Sequence, residues 1–106
     1  MVRTLEDQFH DAMISIYKRA KSECNYNATR FLQMVNDLGG LRAAKSLLHA
    51  RGLSEGFTAL WEFNRLDLTM EALILKQLWK DPFSKEELGV ARKRLSSLGY
   101  TSEESK

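Results

Sequence analysis

A chain of 106 residues, 43% hydrophobic and 28% charged, has the make-up of one folded domain with a single core, which excludes global disorder. One proline, Pro82, and six glycines are too few for the many turns of an all-β chain. The formal charge of +2 is uneven: residues 18–52 carry seven basic side chains against Glu23 and Asp37, whereas the flanking thirds are slightly acidic, so any attraction to an acidic partner belongs to the middle. Cys24 is the single cysteine and has no intramolecular disulfide partner. Met1 to Leu5 shows no signal-peptide pattern, so a reducing, cytoplasmic setting is expected, and the sequon Asn27-Ala28-Thr29 is expected to be idle.

The first predicted helix starts after Thr4, with Asp7 placed as in a capping box. Leu5, Phe9, Ala12, Met13, Ile16, Ala20 and Cys24 then recur at three- and four-residue steps, one apolar stripe over about five turns. Asn25-Tyr26-Asn27 reads as a turn, with Asn27 able to cap a second helix bearing Phe31, Leu32, Met34, Val35 and Leu38. Gly39-Gly40 ends that helix, because glycine takes the left-handed conformation that closes one. A third starts at Leu41, with Leu41, Ala44, Leu47 and Leu48 inward and Arg42, Lys45, Ser46 and His49 outward. Ser54 caps a short fourth helix whose Phe57, Leu60 and Trp61 are spaced to face inward.

Residues 69–79 are predicted as the organising helix. Met70, Leu73, Ile74, Leu75 and Leu78 leave no polar side wide enough to face water, so other helices must wrap it. Asp67, Glu71 and Lys76 interrupt the stretch too often for a membrane span. Lys80-Asp81-Pro82 closes it. Ser84 to Glu87 forms a capping box for the last helix, whose stripe is Leu88, Ala91, Leu95 and Leu98, and Gly99 ends that helix. Residues 1–100 are thus expected to form one all-α bundle of five or six helices, followed by a polar tail over 101–106.

Two blocks, Asn27 to Leu48 and Gly56 to Leu73, together resemble an uncharacterised bacterial all-helical module that occurs alone or at the end of longer, sometimes nuclease-like proteins. The resemblance implies a portable accessory unit and assigns no catalytic residue.

The chain has no Gly-Lys-Ser/Thr after Gly39-Gly40, no cysteine pair and no His-Glu-x-x-His. His10 and His49 lie on different predicted helices without clustered ligands, and Cys24 ends an apolar stripe. No catalytic residue, metal or cofactor is therefore expected. Two features point to partners. The surplus of aromatics, with Trp79 and Phe83 around the sharp turn at Pro82, suggests an apolar patch for another protein or a second copy. The outline helix, tight Gly-Gly turn, helix suggests a basic helix-turn-helix-like face over residues 28–51, with Arg30, Arg42, Lys45, His49 and Arg51 meeting phosphates. The expected function is a non-enzymatic interaction module, and the alternative is a nucleic-acid-binding accessory domain.

Overall fold

The computed structural model describes residues 4–100 and is all-helical among them, so the expected tail over 101–106 lies outside the described residues. Six α-helices follow one another: α1 (Leu5–Cys24), α2 (Thr29–Leu38), α3 (Gly40–His49), α4 (Glu55–Glu62), α5 (Met70–Ile74) and α6 (Lys85–Ser97). Single 3-10 turns at Leu66–Leu68 and Gln77–Trp79 bracket α5.

Side-chain caps set four of the helix starts. Thr4, Ser54, Thr69 and Ser84 accept from the backbone N–H groups of Asp7, Phe57, Ala72 and Glu87, at 3.0–3.1 Å. Each satisfies an amide that has no partner inside its helix. Ser84 and Glu87 complete the capping box, with the Ser84 N–H donating to Glu87 Oε1 at 2.9 Å. The second helix departs from expectation. Ala28 occupies its cap position without a side-chain bond, and Asn27 instead accepts from the Tyr17 hydroxyl at 2.6 Å. Gly39, at φ +85°, closes α2 and opens α3, so one residue forms the whole corner.

α1 is the spine. Its Phe9, Met13 and Ile16 enter a core shared with Val35, Ala43, Ala44 and Leu48 of α2 and α3, and with Leu88, Ala91 and Leu95 of α6. Phe9 is also the hub of an aromatic cluster, meeting Trp79 and Phe83 edge-on at centroid distances of 5.6 Å. A smaller cluster, Ala20 with Leu60 and Leu68, fringed by Cys24 and Tyr26, fastens α4 to the end of α1. Burying each such leucine or phenylalanine is worth about 1.5–3 kcal/mol.

The organising helix is shorter than its sequence implies. Residues 70–75 are buried on every side, as an all-round apolar stretch requires, but α5 spans only five residues. Lys76 turns extended (φ −69°, ψ 140°), and the following 3-10 turn sends Trp79 inward while Leu78 stays 60% exposed. A continuous helix would need a jacket on all sides as far as residue 79. The break instead lets Leu75 and Trp79 share one core, leaving Lys76, Gln77 and Leu78 outside. Among the described residues, no helix is long and apolar enough to cross a membrane.

Candidate interaction surface

The structure separates the residues singled out in the sequence into a closed side and an open side. On the closed side, α6 is clamped to α3 by a carboxylate, Glu87, and a guanidinium, Arg94. Glu87, buried at the first turn of α6, receives Lys45 Nζ on Oε1 at 2.7 Å and pairs with His49 Nε2 through Oε2 at 2.8 Å. Burial opposes its charge, but the Lys45 bond, the Ser84 N–H and His49 together outweigh that, and hold its carboxyl down at about 2. Lys45 also sits 5.2 Å from the centre of the Phe83 ring, a cation–π contact.

About two turns beyond Glu87 on α6, Arg94 crosses the end of α3. Its guanidinium donates to the carbonyl oxygens of Leu47 and Ala50 at 3.1 and 3.0 Å and lies 3.4 Å from that of Leu48. It also pairs with the buried Glu71 of α5 at 2.9 Å. Burial pushes the Glu71 carboxyl up, against the pull of its own backbone amide and of Arg94. One arginine thus supplies three carbonyls that have no partner inside their helix and a carboxylate that would otherwise be buried alone.

These contacts give part of the expected basic face partners within the chain. Lys45 and His49 are committed to Glu87, and Arg30 lies 3.8 Å from Glu55. Arg30, Arg42, His49 and Arg51 are all exposed, Arg30 and His49 with 89% and 70% of their side chains open to solvent. The start of α3, the end that a DNA-reading helix inserts into the major groove, is closed by α1: the Gly40 N–H donates to His10 Nδ1 at 2.9 Å, and a Cβ on Gly40 would stand 2.6 Å from the His10 Cα. Among the described residues, no group of three or more His, Cys, Asp or Glu is placed to hold a metal.

The aromatic expectation is corrected as well. Trp79 and Phe83 are buried against Phe9 and present no patch, because the 3-10 turn carries Trp79, and the turn closed by the Phe83 N–H on the Lys80 carbonyl carries Phe83, under α1. The rings that face outward are Trp61, expected inside, at 46% exposure, and Phe63 at 49%. α4 has barely two turns and fills its inner face with Phe57 and Leu60, so Trp61 next to Leu60 falls outside.

Below this open side lies an apolar cleft with about 40 Å³ of free space, walled by Ile16, Tyr17, Tyr26, Phe31, Phe57 and Leu60. That is room for roughly three water molecules or the tip of one apolar side chain. Phe63 lies next to one wall residue, its ring 6.3 Å from that of Tyr26. Beyond Phe63 an exposed charged network begins. Arg65 bonds Asp67 at 3.0 Å and Glu23 at 2.7 Å, and Glu23 also accepts from Arg19 at 2.9 Å. The two guanidiniums hold the Glu23 carboxyl below its ordinary value.

No protein-family model matches this chain, and neither a curated protein nor a solved structure matches it.

Proposed function

We propose that this chain is a non-enzymatic helical interaction module, at work in the cytoplasm, that binds another protein through its α4 side. The partner presents an amphipathic segment, with one apolar side chain entering the cleft and an apolar surface against Trp61 and Phe63. The observation carrying this reading is two half-exposed aromatic rings on one short segment, Trp61 and Phe63, with Phe63 against Tyr26 of the cleft wall, in a chain that buries Phe9, Phe57, Trp79 and Phe83. Large aromatics at the centre of a contact contribute a disproportionate share of binding energy. The charged network around Arg65 supplies the polar rim such a contact has. The resemblance to a portable bacterial unit points the same way.

The test compares the full chain with a Trp61→Ala/Phe63→Ala variant of matched thermal stability. Affinity capture is run with each, alongside mass measurement in solution. The reading expects a specific protein partner that the variant loses. A strict monomer that retains nothing overturns it, as does a partner held equally by both. Salt-sensitive capture of nucleic acid that survives the aromatic changes but is lost with Arg42→Glu/Arg51→Glu would overturn it in favour of the alternative.

A further inference from the structure

His10 does something that neither the interaction surface nor the core requires. It lies on α1, yet its Nδ1 is 2.9 Å from the Gly40 backbone nitrogen, the first residue of α3, thirty positions later in the chain. An amide N–H can only donate, so Nδ1 must be the unprotonated, accepting nitrogen of a neutral ring. α3 has no side-chain cap of its own, since Gly39 occupies that position. A histidine from a neighbouring helix therefore supplies the missing cap.

We propose that His10 is an acid-sensitive latch on the α1–α3 joint: neutral, it caps α3; protonated, it releases it. Protonation puts a hydrogen on Nδ1, turning the acceptor into a donor that faces another donor. It also sets a positive charge against the positive end of the α3 dipole. Glu6, Asp7 and Asp11 lie within about a turn of His10 on α1, while Asp37 of α2 and Arg42 of α3 bracket Gly40. The carboxylates attract a charged ring and the α3 terminus repels it, so the charged ring turns away from the cap. The backbones cannot close the gap by sliding, because α1 already touches Gly40 closely enough to exclude a Cβ. The contribution is thus present while the ring is neutral and is lost as acid charges it. His49 pairs with a carboxylate, Glu87, so the two imidazoles must be separated experimentally.

The experiment uses the full chain in a His49→Gln background, with and without His10→Asn. The Oδ1 of asparagine stands the same number of bonds from the backbone as Nδ1 and accepts at every pH. Chemical denaturation at pH 7.5 and 5.5 is expected to show the unfolding constant rising about five- to tenfold more, on acidification, with His10 intact than with His10→Asn, the scale of losing one helix cap. Equal pH dependence in both proteins overturns the proposal. In the unaltered chain, nitrogen NMR is expected to place the neutral ring's hydrogen on Nε2, and the Gly40 amide resonance is expected to move as the ring titrates. A hydrogen on Nδ1 at pH 7.5, or a Gly40 resonance that stays fixed while the ring titrates, overturns it without any variant.

Discussion

The α3–α6 side and the α4 side of this molecule are held by different physics. Where α3, α5 and α6 meet, two buried carboxylates, an arginine, a lysine and a histidine form directional bonds that leave few polar groups over. Around α4, attachment comes from Phe57, Leu60 and a handful of apolar neighbours, and two large rings remain in water. The first arrangement fixes geometry and leaves charged rather than apolar side chains, such as Arg42 and Arg51, at its surface. The second leaves apolar surface that a partner can still cover.

Four changes break or sharpen this contrast. Arg94→Ala has the largest expected effect, about 3–5 kcal/mol of stability in chemical denaturation, because it strands the Glu71 charge in the interior and uncovers the α3 carbonyls. Gly40→Ala comes next at about 1–3 kcal/mol in the same measurement, since the new Cβ meets the His10 backbone rather than a movable side-chain tip. Glu87→Gln costs about 1–2 kcal/mol near neutral pH. Its signature is in the pH dependence. The folded carboxyl sits at about 2, below the ordinary glutamate value, so its stabilisation is whole above about pH 4.5 and drains away as pH falls toward 2. The variant should lose that acid slope. Trp61→Ala/Phe63→Ala has the smallest effect on stability, within about 0.5 kcal/mol per position by thermal melting, and this near-silence distinguishes open-side residues from closed-side ones.

Much of the fold was readable from local pattern. The Thr4, Ser54, Thr69 and Ser84 caps act within three residues of themselves, and the α1 stripe needs only helical periodicity, so both survive without tertiary knowledge. The misreadings came where distant parts decide. Trp61 and Trp79 exchanged their expected roles because spacing states which residues share a face, not whether anything lies opposite that face. The break at Lys76 has no proline or glycine to announce it. Of the candidate site, the sequence correctly grouped Lys45 and His49 on one face, but their shared partner Glu87 lies about forty residues away and carried an adequate local explanation as a capping-box glutamate. Arg94 gave no local signal at all; its partners come from two other helices.

The single-residue corner at Gly39 leaves α2 and α3 no slack. One residue added there would spin α3 by about 100° about its own axis, swinging Ala44 out of the centre and Arg42 into the buried place of Ala43. Length variation in this molecule is therefore confined to its other connections, and the elbow between these helices must be inherited whole.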